Sequence, residues 1–375
     1  MKKIICFILI LSSLLCFRIY NTFTLQAEPY KASVVIERTS NKILSEYNCN
    51  DRLPMASTTK IMTALVTLEN CEDISSKVNV DDRAVGIEGT SIYLRKGEVL
   101  TVEELLYGLI LPSGNDASMA LAYYIGKGNL EDFVKLMNDK AESLGLKNTH
   151  FDNPHGLDSK THYTSAYDLA VITSEAMKKA TFREIVSTKN KQITGNEEVA
   201  HRFLRNKQRL LKTLEGCNGV KTGFTDNAGR CLVTSCKRDD MEVISVVLNC
   251  PDMFNESARI IENAYKTYKM VSILEPYSYI TNIPVNEGEL ESVKVYSMKG
   301  FKYPLKEDER VNIHIERELP EVLDAPIEKE QTIGEIKIFY DKDLIFSEKI
   351  YTMESVRSLD IKDKMKDIID KWFYE

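Results

Sequence analysis

Met55-Ala56-Ser57-Thr58-Thr59-Lys60-Ile61-Met62-Thr63-Ala64-Leu65 is the stretch on which the reading of this chain turns. Ile61, Met62, Leu65, Val66 and Leu68 recur at helical spacing, so a helix opens here. Ser57 falls in its first turn and Lys60 three residues on, where the two share a face. A serine hydroxyl is a poor nucleophile at neutral pH and needs a base beside it. A lysine amine serves as that base only when burial or another cation lowers its pKa. The N–H groups and partial positive charge of a helix N-terminus suit a developing oxyanion. Alone, Ser-x-x-Lys is an ordinary capping serine followed by a solvated lysine.

Upstream, Ser33–Glu37 and Lys42–Glu46 alternate around residues 39–41, the pattern of a β-hairpin that delivers the chain to Pro54. Residues 1–27 differ from everything after them. Lys2 and Lys3 precede an apolar run from Ile4 to Phe17, and Leu25-Gln26-Ala27 offers a cleavage site, so the segment reads as a secretory signal peptide. An uncleaved anchor is the alternative, for which a run of 14 residues is short. Leu15 before Cys16 argues against lipidation there. Loss of residues 1–27 takes the net charge from −7 to −10, a balance that excludes nucleic acid as a partner. Export points to the outer face of a membrane or the cell wall.

Downstream, Ser91–Arg95 is expected as a short strand, and Thr101 with Glu104 as a capping box opening a helix that stops near Pro112. Ser113-Gly114-Asn115 makes a tight loop before a second helix. Asn129 or Leu130 opens a third, Phe151–Asp158 is a loop, and Ser165 with Asp168 starts a helix to about Lys179. Strands are expected at Lys191–Thr194, Arg230–Ser235 and Met241–Leu248, then a helix over Phe254–Tyr268 capped by Asn255. Strands, then helices, then strands and a final helix imply an α+β domain whose sheet joins the first and last segments. From about Ile273 the texture becomes β-rich: Glu291–Tyr296, Arg310–Glu316, Gly334–Tyr340 and Leu344–Tyr351 suggest a small β-sandwich. The expected organisation is therefore 1–27 signal peptide, 28–272 α+β domain, 273–353 β domain and 354–375 tail. In the tail, Ile361, Met365, Ile368 and Trp372 line one face of an amphipathic helix, either an anchor on a membrane surface or a helix docked on the β domain.

After Cys6 and Cys16 are set aside, Cys49, Cys71, Cys217, Cys231, Cys236 and Cys250 remain, none in Cys-x-x-Cys spacing. With His150, His155, His162, His201 and His314 scattered, this argues against a metal site. Disulfides and free buried thiols both stay open.

Two further motifs complete a set. In the loop at Ser113-Gly114-Asn115, either Asn115 simply caps the next helix, or Ser113 passes a proton to a leaving amine while Asn115 orients a substrate amide. Lys221-Thr222-Gly223 precedes Phe224 and a turn at Asp226-Asn227. If Val220–Thr222 begins an edge strand, Lys221 and Thr222 face a cleft, Gly223 lets a substrate backbone approach, and Lys221 lowers the pKa of Lys60.

In this order the three motifs form the signature of β-lactamases and penicillin-binding proteins. The segments RLPMASTTKIMTALVTLE (52–69), GTSIYLRKGEVLTVEELLYGLILPSGNDASMALA (89–122), FDNPHGLD (151–158) and GVKTGFTDNAGRCLVTS (219–235) resemble low-molecular-mass penicillin-binding proteins of the D-alanyl-D-alanine carboxypeptidase type. The resemblance covers about residues 30–350, and the tail is similar to that family's amphipathic anchor. It implies a penicillin-binding transpeptidase-like domain, an antiparallel sheet with a helical cluster, followed by a small all-β sandwich. It implies Ser57 as acylated nucleophile, Lys60 as base, and Ser113 and Asn115 as the second element. Lys221 and Thr222 would bind the terminal carboxylate, Gly223 would complete the substrate-binding strand, and the Ser57 and Phe224 amides would form the oxyanion hole. His155 would be structural. The expected partners are peptidoglycan stem peptides and, as covalent inhibitors, β-lactams; no cofactor or metal is implied. One departure is Gln208, where the family often carries Asn. Two other readings remain: a D,D-endopeptidase on peptidoglycan cross-links, using the same residues, and a non-catalytic wall-bound scaffold. A β-lactamase is disfavoured by the extra β domain and by the lack of a Glu-x-x-Leu-Asn-type stretch between Asn115 and Lys221.

Overall fold

A computed structural model describes residues 28–194, 201–362, 365 and 372. The signal-peptide reading of 1–27 lies outside the described residues, as does half of the 354–375 tail.

Strands β1 (Ala32–Glu37) and β2 (Ile43–Tyr47) form the expected hairpin. After a 3₁₀ turn at Ala56–Thr59 comes α1 (Lys60–Asn70). Two three-residue strands, β3 (Lys77–Asn79) and β4 (Val99–Thr101), pair with each other and lead to α2 (Val102–Ile110). The Thr101–Glu104 capping box is present: Glu104 N–H donates to Thr101 Oγ1 at 3.1 Å and Thr101 N–H to Glu104 Oε2 at 3.0 Å. Then follow α3 (Asn115–Ile125), α4 (Leu130–Ser143), α5 (Ala166–Ala176) and α6 (Ala180–Ser187). Strands β5 (Asn190–Ile193) and β6 (Arg202–Arg205) form a separate ribbon. Long strands β7 (Cys217–Thr225), β8 (Gly229–Arg238) and β9 (Met241–Leu248) precede α7 (Met253–Thr267).

The main sheet has the order β2-β1-β9-β8-β7, so the first and last strands of the domain meet through the β1–β9 pair and β7 lies at an edge. Alternate residues feed two cores, as a strand's period of two requires. Val34, Ile36, Val233, Ile244 and Val246 pack with α1–α3 and α5, whereas Val35, Leu232, Val243 and Val247 pack under Ile260, Ile261 and Ala264 of α7.

Four local expectations are corrected. Ser91–Arg95 is not a strand: the Ile92 and Leu94 N–H groups donate to the Asp116 carboxylate instead of to a neighbouring strand. The helix from Ser165 ends at Ala176, and α6 is a separate helix. Asn255 lies inside α7, its Nδ2 donating to Oδ2 of Asp252 at the N-cap. Asn115 is the first residue of α3, with Gly114 at the cap. All six described cysteines are free thiols.

Beyond α7, β10 (Lys269–Leu274), β11 (Ser278–Asn286), β12 (Ser292–Ser297), β13 (Phe301–Leu305), β14 (Ile313–Glu318), β15 (Leu323–Asp324), β16 (Thr332–Tyr340) and β17 (Asp343–Thr352) form the β-rich part. The β10–β13 ribbon and a six-stranded sheet enclose one core, with Phe301 stacked on Phe346 at 4.5 Å. Lys42, near the tip of the β1–β2 hairpin, reaches across to this part. Its Nζ donates to Pro304 O at 3.0 Å and Glu309 Oε2 at 2.6 Å, and sits 4.1 Å from the centre of the Tyr340 ring. In the tail, Ile361, Met365 and Trp372 are exposed; Ile368 lies outside the described residues. Among the described residues, no helix is long and apolar enough to cross a membrane.

Candidate active site

Ser57 sits in the 3₁₀ turn ahead of α1, one turn from Lys60, the first residue of the helix. The turn is tightly held. Thr58 and Thr59 hydroxyls donate to Met55 O and Ala56 O, and Ala56 itself takes a left-handed backbone, φ 49°. A non-glycine residue there is strained, and such strain gathers at functional sites. The loop 151–158 presses on the same turn: a Cβ on Gly156 (φ +92°) would lie 2.0 Å from Ala56 O. His162 fastens the two together. Its Nδ1 accepts from Asp152 N–H at 3.0 Å, which assigns the proton to Nε2, 2.8 Å from Thr59 Oγ1. Burial lowers the His162 pKa to about 4, so this ring is neutral at physiological pH.

Lys60 is fully buried, yet its amine is fully partnered. Nζ lies 3.0 Å from Ser57 Oγ, 2.7 Å from Asn115 Oδ1 and 2.7 Å from the His155 carbonyl. Burial holds its pKa well below the ordinary lysine value, and the charges of Lys221 and then Lys207 lower it further, against a smaller opposing effect of Asp116. Asn115 is pinned by donation from Nδ2 to Glu88 O at 2.6 Å. Ser113 is buried with φ 76°, and among the described residues its Oγ has no hydrogen-bond partner.

On the facing side runs β7. A Cβ on Gly223 would lie 3.0 Å from Met55 O and 3.1 Å from the Ser57 and Thr58 nitrogens, so this edge strand lies against the Ser57 turn where only glycine leaves room. Lys221 is buried, its Nζ donating to Thr222 O at 3.0 Å, and burial, followed by the Lys207 charge, lowers its pKa to about 7. Lys221 is thus buried beside the cleft, and half-buried Thr222 lines its open wall. The cleft, of about 860 Å³, runs from Ser57 and Ser113 along Thr222, Gly223 and Phe224.

All eight residues singled out from the sequence thus converge here. The sequence reading missed three contributors: Asp116, which accepts from Ser91, Ile92 and Leu94 and so fixes the 91–94 segment to the start of α3; the His155 main-chain carbonyl; and Lys207, on the cleft wall.

Residues 22–252 match the family model described as D-alanyl-D-alanine carboxypeptidase, and residues 268–358 match the C-terminal domain of penicillin-binding protein 5. This chain belongs to the D-alanyl-D-alanine carboxypeptidase family. Among its relatives, D-alanyl-D-alanine carboxypeptidase DacF of Bacillus subtilis is 32% identical, over 92% of this chain and 90% of that one. DacC of Escherichia coli is 30% identical over 92% and 88%. Among solved structures, penicillin-binding protein 5 of Haemophilus influenzae superposes with a TM-score of 0.71 at 30% identity, covering 88% of this chain and 98% of the other. The Streptomyces K15 DD-transpeptidase covers 64% of this chain with a TM-score of 0.61 at 32% identity. The family thus has the α+β penicillin-binding domain and the β-rich C-terminal domain that the resemblance implied.

Proposed function

We propose that this member of the carboxypeptidase family removes the terminal D-alanine from peptidoglycan stem peptides through an acyl-enzyme on Ser57, and that β-lactams acylate the same serine. The observation that carries the reading is the buried Lys60 amine, its pKa driven down, 3.0 Å from Ser57 Oγ. Neutral Lys60 takes the hydroxyl proton as Oγ attacks the carbonyl carbon between the two D-alanines. The Ser57 and Phe224 amides stabilise the oxyanion, supported by the close approach of Gly223 to Ser57 N. The C–N bond breaks, and the proton reaches the leaving amine through Ser113, whose Oγ has no other partner among the described residues. Asn115 orients the substrate amide, Thr222 holds the terminal carboxylate, and the buried Lys221 charge next to it strengthens that hold. Water then resolves the ester. Residues from 28 through α7 form the catalytic domain, and the strands from β10 onward the β domain. Residues 1–27 direct export, placing the enzyme outside the cytoplasm, and the 354–375 tail meets the membrane surface.

The test is D-alanine release by residues 28–353 from an acylated peptide ending in Lys-D-Ala-D-Ala, with and without prior penicillin. Release that penicillin and Ser57→Ala both abolish is the expected result, with Lys60→Met lowering penicillin acylation by roughly 10²–10⁴-fold. Covalent penicillin capture without release would favour cross-linked muropeptides as substrate. Neither release nor capture by the folded protein would leave a wall-bound scaffold.

A further inference from the structure

The cleft extends well past the reacting atoms, and the extension is cationic. Arg205, Lys207, Arg209 and Arg230 line it, with no Asp or Glu among the described lining residues, on a chain whose net charge is −7. Among the described residues, none of the four has a carboxylate partner. An acidic protein with four unneutralised cations on one cleft wall concentrates positive potential where a ligand enters.

The strand register says which end this is. On β7 the side chain alternates faces: Gly223 turns to Ser57, so Thr222 and Phe224 turn the other way, toward α7. Leu232, opposite Thr222, packs in the core beneath α7, and Arg230 stands opposite Phe224 on that same face. Phe254, near the start of α7, closes this end, with the Arg209 guanidinium 5.2 Å from its ring centre. Arg230 and Arg209, with Phe254, thus lie beyond Thr222, on the side of the departing amine, whereas Lys207 stays nearer the reacting end. A single D-alanine leaves with one carboxylate, which Lys221 and Thr222 serve. A cleft of about 860 Å³ falls in the range of drug-sized ligands, far more than one alanine needs.

We propose that the part of the cleft beyond Thr222, walled by Arg209, Arg230, Phe224 and Phe254, is a second anion subsite that binds a further carboxylate carried by the leaving group. It rests on the reading of Ser57 as nucleophile and Thr222 as the first carboxylate site. The substrate class it selects has an acidic residue larger than alanine on the amine side of the scissile bond, as an acidic acceptor stem in a peptidoglycan cross-link supplies. The subsite would give the same catalytic serine access to the D,D-endopeptidase reaction.

The experiment compares acylated Lys-D-Ala-D-Glu with its neutral isostere Lys-D-Ala-D-Gln, after release from Lys-D-Ala-D-Ala has been recorded. In the unaltered protein kcat/KM favours the D-Glu peptide by roughly three- to tenfold at low salt, as one or two exposed ion pairs allow. The preference shrinks as salt rises. In the Arg209→Gln, Arg230→Gln double variant the ratio falls toward one, and Arg209→Lys, Arg230→Lys restores part of it. Labelling of each variant by penicillin certifies its fold, and the single variants serve if the double one is not labelled. A ratio of one in the unaltered protein, or a ratio that survives the double substitution, overturns the subsite while D-alanine release stands. No release from Lys-D-Ala-D-Ala and no penicillin labelling overturns the reading of Ser57 itself, and the subsite with it.

Discussion

Two lysines of the same site are pushed in the same direction and put to opposite uses. Lys60 works neutral, so acylation declines as pH falls through its depressed pKa and the amine takes a proton. Lys221 works charged; with its pKa lowered to about 7, it loses its hold on a carboxylate as pH rises above that value in the free enzyme. kcat/KM is therefore expected to be bell-shaped. Lys221→Arg should extend the alkaline limb upward by a unit or more, because a guanidinium does not deprotonate in this range. An alkaline limb that stays put in that variant would assign it to another group. The residues that act through their type were legible in the sequence: a serine and a lysine one turn apart, a Ser-x-Asn, a Lys-Thr-Gly. What was not legible acts through something other than type. The His155 carbonyl belongs to the backbone, and Asp116 follows Asn115 like any acid in the first turn of a helix. Lys207 sits in a polar stretch where the default for lysine is solvation.

Among the elements, the turn carrying Ser57 and the loop 151–158 are fitted to one another backbone to backbone. Gly156→Ala adds a Cβ 2.0 Å from Ala56 O at a φ of +92°, unfavourable on both counts. The expected loss is about 2 kcal/mol or more of stability, read from chemical denaturation, with penicillin acylation slowed as the Ser57 turn shifts. An unchanged denaturation midpoint would mean that the loop is not packed there. Elements with side-chain caps were readable: the Thr101–Glu104 box, Asn129 before α4 and Ser165 before α5 all accept the predicted N–H. The missed ones lack that mark. Helix α6 is eight residues long with Lys179 at its N-cap and no side-chain bond, and β3 and β4 are three residues each. Ser91–Arg95 has the residues of a strand, but a carboxylate distant in sequence takes its N–H groups.

At the scale of the molecule, the change of texture near Ile273 was visible as composition, but not how the two parts touch. Lys42 makes one such contact, with a carboxylate, a carbonyl and the Tyr340 ring around one ammonium group, and Lys302 with Asp240 makes another. Lys42→Met should weaken the docking by about 1–3 kcal/mol and separate the two parts into distinct calorimetric transitions. A single unshifted transition would show that other contacts suffice. The approach of Gly223 to the Ser57 turn carries a different consequence. Nucleophile and carboxylate-binding strand belong to opposite banks of a joint, and the outermost strand, paired along one side alone, is the bank a local opening would free first. Local openings cost less than global unfolding, so the joint works as a fuse. On gentle warming or in dilute urea, penicillin capture should fail before circular dichroism registers any loss of structure, and return on cooling or dilution.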